Sequence, residues 1–208
     1  MPAEKENKVS AILLGAGEST RMGRDKLSLP WGKKTIFEQC LRNLLRSEVE
    51  ELIVVLSHRI RRMGNEWRDS KIKMVRNPYS SAGMSSSIRR GLEALDPSSQ
   101  GILIALGDQP FIRTRTINGL IHAFVRGKRT IVVPSFRGMR GHPVIFHRRY
   151  LKQLLNLRGD AGGRSIIEKY PEEVGLVRVR SEGVTKDIDT WEDYHPPRPI
   201  PRPQETLS

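Results

Sequence analysis

Between Gly15 and Lys26 the chain gathers small residues, hydroxyls and cations into one short loop. Gly15-Ala16-Gly17 let a backbone turn sharply and lie close to a ligand. Ser19, Thr20, Arg21, Gly23, Arg24 and Lys26 follow at once. Free backbone N–H groups, hydroxyls and fixed positive charge are what a polyphosphate needs, so the loop reads as a site for a nucleoside triphosphate. Two commoner phosphate loops do not fit. The dinucleotide fingerprint G-x-G-x-x-G has Thr20 where its third glycine belongs, and Gly23, Pro30 and Gly32 keep the segment irregular until about Thr35. The Walker pattern fails on the Gly17 to Gly23 spacing and on Arg24. A glycine-rich surface turn with solvated charges is the other reading of the same residues.

Two acidic blocks complete the chemistry. Asp108 stands directly after the apolar run GILIAL. A carboxylate at the end of a buried strand is placed to hold Mg²⁺, which prefers hard oxygen ligands and shares them with phosphates. Capping of the next helix is the other reading of the same residue. In Asp187-Ile188-Asp189-Thr190 the i, i+2 spacing points both carboxylates to one face of an extended segment. Here too there is a second reading: Asp189 or Thr190 caps a short helix over Trp191 to Tyr194. Gly-x-Ser-x-Gly, His-Glu-x-x-His and Cys-x-x-Cys patterns are absent, and His58, His122, His147 and His195 show no metal-ligand spacing.

The elements that must position these groups alternate. Val9 to Leu14 reads as a buried strand, and Thr35-Ile36-Phe37-Glu38 as the capping box of a helix with its apolar stripe at Ile36, Phe37, Cys40, Leu41, Leu44 and Leu45. Strands are expected at 51–57, 71–75 and 101–106, with a short basic helix after the first of them and a helix over 84–95. Thr114 to Val125 is a further helix, ended by Gly127. Strands at 130–134 and 143–147 are followed by helices near 148–156 and 162–169, then by strands near 174–180 and 184–188. This rhythm implies a mostly parallel sheet covered on both faces. Residues 1–8 are expected to be a flexible start, 9–194 one domain, and 195–208 a disordered tail with five of the thirteen prolines.

Composition bounds the partners. At 208 residues the chain can bury a substantial core. Its net charge of +13, with 25 of 36 basic residues being arginine, favours anionic ligands. No nucleic-acid recognition motif accompanies that charge, and at 6% aromatic residues there is little to stack bases, so no nucleic-acid partner is expected. The apolar runs are too short to span a membrane, and the polar MPAEKENK start lacks the apolar core of a signal peptide. The single Cys40 fits packing on the helix and a reducing cytosol.

Leu14-Gly15-Ala16-Gly17-Glu18-Ser19-Thr20-Arg21-Met22-Gly23-Arg24-Asp25-Lys26-Leu27 resembles the signature L-x-A-G-x-[GS]-x-R-M-G-x-x-K-x-L of the nucleotidyltransferases that activate sugars, alditols and pterins. Within that superfamily the chain looks most like the molybdenum-cofactor cytidylyltransferases. Gly15 replaces the usual alanine and is expected to add flexibility. Four further blocks match: Asn77-Pro78 through Gly83-Met84-Ser85-Ser86-Ser87, Gly107-Asp108-Gln109-Pro110, Gly141-His142-Pro143 and Leu157-Arg158-Gly159-Asp160-Ala161-Gly162-Gly163-Arg164. A fifth, Asp187-Ile188-Asp189-Thr190, carries Trp191 in place of a proline, and Gly163 replaces an alanine. The resemblance implies a Rossmann-like three-layer α/β/α nucleotidyltransferase fold with a mostly parallel mixed sheet. It makes Arg21, Lys26 and Asp108 catalytic, and gives Mg²⁺ to Asp108 and Asp189. It gives nucleotide binding to Gly15, Ala16, Gly17, Ser19, Thr20, Arg21, Gly23, Lys26, Asn77, Gly83 and Ser86. Acceptor binding falls to Gln109, Pro110, His142, Pro143, Asp160 and Arg164. The implied partners are CTP or another triphosphate, molybdopterin or molybdenum cofactor, and a molybdoenzyme client. Ala16 supports a cytidine donor, since guanylyl-transferring relatives tend to have glycine there. A sugar or alditol phosphate acceptor and a non-catalytic cofactor chaperone are the rival readings.

Overall fold

The computed structural model describes residues 8–16, 22–23, 25–57 and 69–195. The expectations for residues 1–7, for a basic helix after residue 57 and for the tail from 196 lie outside them. Strand β1 spans Val9–Gly15, and a two-stranded hairpin of β2 (Pro30–Trp31) and β3 (Lys34–Thr35) leads into α1 (Ile36–Leu45). Then come β4 (Glu51–Leu56), β5 (Ile72–Arg76), α2 (Met84–Glu93), β6 (Gly101–Leu106) and α3 (Thr114–Arg126). The last part holds β7 (Ile131–Phe136), β8 (Met139–Arg140), β9 (Val144–His147), α4 (Leu151–Leu155), α5 (Arg164–Lys169) and β10 (Val174–Arg178).

The strands form one mixed sheet in the order β10-β7-β9-β6-β1-β4-β5, with β8 paired to β7. β1 runs parallel to both β4 and β6, whereas β9 runs antiparallel to β6 and β7. Two-residue alternation divides the apolar strands between two faces. Val9, Ala11 and Leu13 face α1 and α3 through Phe37, Leu41, Ile117 and Leu120. Ile12 and Leu14 face the other layer, built from Ile88 and Leu92 of α2, Leu154 of α4 and Ile166 of α5. The result is the three-layer α/β/α arrangement.

Local chemistry explains where helices begin. Thr35 Oγ1 accepts from Glu38 N at 3.2 Å, and Glu38 Oε2 accepts from Thr35 N at 2.8 Å, so the expected capping box forms. Helix α2 has no side-chain cap from its own N-terminal residue. Its N-cap is Gly83, which makes no side-chain bond, and the cap comes from a distant loop described below. The strand expected at 184–188 is a 3-10 turn at Glu182–Val184 and then irregular chain. That segment crosses the ends of the strands: Val184 O accepts from His142 N at 2.8 Å, and Ile188 N donates to Asp108 O at 3.0 Å. Its backbone bonds to loops, so no ladder can form. Gly141 permits the crossing, because a Cβ there would lie 2.1 Å from Val184 O. Nor is there a helix over 191–194; the chain makes a turn at 191–193. Among the described residues no helix is long and apolar enough to cross a membrane.

Candidate active site

The chain leaves β1 to one side for β4 and returns to its other side as β6, so the sheet switches direction between β1 and β6. Ligands in open α/β sheets bind beyond the strand ends at such a point. A cavity of about 370 Å³ opens there, lined from the strand ends by Leu14, Ala16, Leu106, Gly107 and Asp108. Lys26 and Leu27 close one side of it, and Ser80, Ser81, Gly83, Met84, Ser87 and Asp160 the other.

Lys26 opens a 3-10 turn, Lys26–Ser28, that Asp25 caps by accepting from Leu27 N at 3.1 Å. From it the ammonium reaches Asp108 Oδ2 at 2.8 Å and Asp189 Oδ1 at 2.7 Å. Burial alone would lower the lysine pKa, but Asp108 and Asp189 outweigh it and hold Lys26 above its ordinary value. Asp189 arrives because the fully buried Ile188 is packed with Met22, Trp31 and Ile36. Asp193 then fixes the turn that follows: its Oδ2 accepts from Thr190 N and Thr190 Oγ1, both at 2.8 Å, and from Asp189 N at 3.2 Å. Those bonds hold the Asp193 carboxyl below its usual range. Loss of water raises the Asp187 pKa, and the Asp189 and Asp108 charges raise it further.

This donor set fits a divalent cation. Asp108 Oδ1 is buried with no hydrogen-bond partner, and a second carboxylate stands across the same ammonium. Among the described residues no group of three or more His, Cys, Asp or Glu side chains could form a metal cage. Two carboxylates with the remaining positions taken by phosphates and water is the pattern Mg²⁺ favours over all-protein cages.

Glycines at the strand ends are set by a single ring. A Cβ on Gly15 would lie 2.4 Å from Phe37 Cε2, and one on Gly107 2.6 Å from Phe37 Cδ2. Gly15 is therefore a packing requirement of the buried Phe37, not the source of flexibility the sequence suggested. Cys40 lies on the same helix face; its thiol contacts Gly107 O at 3.3 Å, and burial followed by the Asp108 charge pushes it up in pKa, away from nucleophilic use.

The far wall is tied down by non-local bonds. Gly83 has φ +91°, and a Cβ there would meet the Gly159 carbonyl carbon at 2.5 Å and Asp160 Oδ1 at 2.7 Å. Ser85 N donates to Gly159 O at 3.0 Å and Met84 N to Asp160 Oδ1 at 3.3 Å, which caps α2 from the 157–163 loop. Asn77 is buried; its Nδ2 donates to Ser86 Oγ at 2.8 Å and Ser87 Oγ at 2.9 Å, while Oδ1 accepts from Tyr79 N at 3.0 Å. Asn77 and Ser86 thus stand behind the cavity wall. Gly23 has φ +64°, and among the described residues no atom lies within 4 Å of where its Cβ would stand. Gly17, Ser19, Thr20 and Arg21 lie outside the described residues.

A second cavity of about 620 Å³ adjoins the first and shares Met84, Leu106 and Asp160 with it. Ile88, Ile104, Val133, Val144 and Phe146 make its walls apolar, with Arg140, His142 and Arg164 among the polar groups. Burial lowers the His142 pKa against the opposing charges of Asp108 and Asp187, which favours a neutral ring. Arg164 is paired with Glu168 at 2.8 Å. Three expected acceptor residues do not line this space. Gln109 is buried with Oε1 unpartnered, Pro143 borders a void of about 10 Å³ beside it, and Pro110 faces a separate surface depression near Trp31. Instead Gln109 and Pro143 lie beside Cys40 of α1 and Ile117 of α3, and Pro110 beside Asn43 and Thr114. Met84, Ser87, Leu106 and Arg140 line the cavities without having been singled out, although the first two sit inside a block that had been.

A family model described as the MobA-like NTP transferase domain matches residues 11–174. The nicotine blue oxidoreductase of Paenarthrobacter nicotinovorans is 28% identical, over 90% of this chain and 95% of that protein. The purine catabolism protein PucB of Bacillus subtilis is 27% identical over 88% and 92%. The molybdenum cofactor cytidylyltransferase of Escherichia coli is 25% identical over 89% and 93%. Among solved structures, an Rv0371c homologue from Mycobacterium sp. strain JC1 superposes with TM-score 0.75 at 30% identity, covering 91% of this chain and 94% of that one. Rv0371c of Mycobacterium tuberculosis in complex with manganese gives 0.71 at 25% identity, over 90% and 96%.

Proposed function

Because this chain belongs to the MobA-like NTP transferase family, we propose that it moves a nucleoside monophosphate from a triphosphate, CTP by preference, onto the phosphate of molybdopterin or molybdenum cofactor. The carrying observation is the meeting of Lys26, Asp108 and Asp189 at the switch point of the sheet, on the rim of the 370 Å³ cavity. An acceptor phosphate oxygen attacks the α-phosphorus, the bond from that phosphorus to the β-bridging oxygen breaks, and pyrophosphate leaves. The reaction brings two anions together, so the protein's work is positioning and neutralising charge, with little proton transfer.

Ala16, Ser80, Ser81 and Gly83 offer the donor a wall of small side chains, and Lys26 supplies charge for its phosphates. By resemblance Arg21 adds a second cation, while Gly17, Ser19 and Thr20 add N–H groups and hydroxyls. Asp108 and Asp189 would hold Mg²⁺, which neutralises phosphate charge when bound. The adjoining cavity takes the acceptor. Its apolar walls suit the flat heterocycle of a pterin better than a sugar or alditol, which would leave hydroxyls unpaired against Val133, Val144 and Phe146. The chain is read as a single domain over 9–194 working in the cytoplasm.

The test is pyrophosphate release measured with each of four nucleoside triphosphates, with and without molybdopterin and Mg²⁺. Release is expected to depend on the acceptor and to be fastest with CTP. Lys26→Ala and Asp108→Ala are expected to lose turnover by orders of magnitude while their far-UV spectra stay native. Near-normal release in either variant refutes the assignment. Triphosphate binding without release for any acceptor would favour the chaperone reading.

A further inference from the structure

We infer that Tyr194 is a positioning residue, latching the strap of chain that carries Asp189 onto the hairpin that follows Lys26. The inference rests on the reading of Asp189 as a metal ligand. The strap, residues 184–195, is held in an apolar cluster separate from the two that cover the sheet. Met22, Trp31, Ile36 and Ile188 form it, with Leu29, Phe111 and Tyr194 packed against them. Buried Ile188 thus anchors the strap just before Asp189. After Asp189 the chain turns on the Asp193 carboxylate, and those bonds are local. Asp193 Oδ2 accepts from Asp189 N and Thr190 N, and Tyr194 N donates to Trp191 O at 3.3 Å. Local bonds give the turn its shape and leave its place open.

The Tyr194 side chain sets the place. Its hydroxyl donates to Pro30 O at 2.5 Å, and its ring centroid lies 6.4 Å from that of Trp31. Trp191, which stands where the resembled block has a proline, meets the same ring edge to face at 5.9 Å and 79°. The phenol bond and the ion pair close a short ring of chain. Pro30 is four residues beyond Lys26, Tyr194 is five beyond Asp189, and Lys26 Nζ meets Asp189 Oδ1 at 2.7 Å. A tyrosine hydroxyl is uncharged at neutral pH, so neither a phosphate nor a divalent cation competes for its bond. A carboxylate held in place beforehand gives up less freedom when it takes an ion, and that saving appears as affinity.

The test titrates Mn²⁺ into the full-length protein without nucleotide, well below its melting temperature, and counts bound ion by paramagnetic resonance. Tyr194→Phe keeps the ring and removes the hydroxyl. It is expected to bind Mn²⁺ about fivefold more weakly than wild type, within what one hydrogen bond spans. In an Asp189→Asn background the same change should have no effect on Mn²⁺, because the latch acts through that carboxylate. A tyrosine that served stability alone would lower Tm and leave the affinity of the folded protein as it was. Equal affinity in wild type and Tyr194→Phe therefore overturns the proposal, as does a loss of the same size in the Asp189→Asn background. Amide hydrogen exchange decides the matter where Mn²⁺ does not bind without nucleotide. The Asp189 and Thr190 amides should exchange severalfold faster in Tyr194→Phe, while those of β9 exchange as in wild type. Unchanged exchange in the strap overturns the latch. Neither readout uses turnover, so an absence of pyrophosphate release would remove the proposed function and leave the latch to be decided by these measurements.

Discussion

Gly15→Ala is the substitution that most directly tests how the strand ends are built. The family this chain resembles usually has alanine at that position, so a reading of residues alone would expect the change to be harmless. The structure points the other way. A new Cβ would lie 2.4 Å from Phe37 Cε2, 2.7 Å from Phe37 Cζ and 3.0 Å from Leu56 Cδ2. Carbon atoms in good contact stand about 3.5–4.0 Å apart, so the ring must retreat by roughly 1 Å. The same edge also lies against Gly107, where a Cβ would meet Phe37 Cδ2 at 2.6 Å and Cε2 at 2.7 Å, so the ring is packed closely onto both strand ends. Overpacking of this kind costs about 1–3 kcal/mol. For a domain of this size that is a fall in Tm of roughly 2–12 °C, read by calorimetry or thermal circular dichroism. Phe37→Leu removes the opposing ring, so alanine at 15 should cost less in that background, with a coupling of about 1 kcal/mol in the double-mutant cycle. If Gly15→Ala melts with the wild type, or costs as much beside leucine as beside phenylalanine, the packing argument is wrong.

Two further outcomes follow from the same geometry. Asn77→Ala removes the bonds to Ser86 Oγ, Ser87 Oγ and Tyr79 N, although Ser86 Oγ keeps its bonds to the Tyr79 and Gly83 carbonyls. At about 1 kcal/mol or more for each lost partner it should destabilise by roughly 2–4 kcal/mol and loosen the donor side of the cavity, read by denaturant unfolding and by the KM for the triphosphate. The pH dependence of stability should carry the mark of His142. Its folded pKa is depressed, so below its ordinary value of about 6.5 the unfolded chain takes up a proton that the folded protein refuses. Stability therefore falls as pH drops from that value toward the folded pKa, and His142→Gln should flatten this limb of a denaturation series. An unchanged limb would mean the ring is not held neutral.

Much of the scaffold was legible because its causes are local. The apolar run of Val9 to Leu14 announces a strand with two buried faces, and the α1 stripe with its Thr35 and Glu38 cap announces a helix, since neighbours along the chain supply those signals. The acid after GILIAL was recognisable as a group at the end of a strand, and parallel sheets collect ligands at those ends.

What tertiary structure alone decided is which distant groups meet. Lys26 bonds acids 82 and 163 residues away, and nothing in its own neighbourhood names them. A strand is expected over 184–188, yet Val184 and Ile188 are buried where the chain crosses over loops, and its hydrogen bonds follow the crossing. Gln109, Pro110 and Pro143 sit in blocks beside the site, but the direction in which a loop leaves its strand turned them from the apolar cavity. Gly15 and Gly83 make the same point at the scale of one atom. Each is glycine because of what lies across from it, Phe37 in one case and the Gly159–Asp160 backbone and carboxylate in the other. Residue pattern reports the conformations a segment prefers; packing between segments, each far from the other in the chain, sets the space left for a ligand.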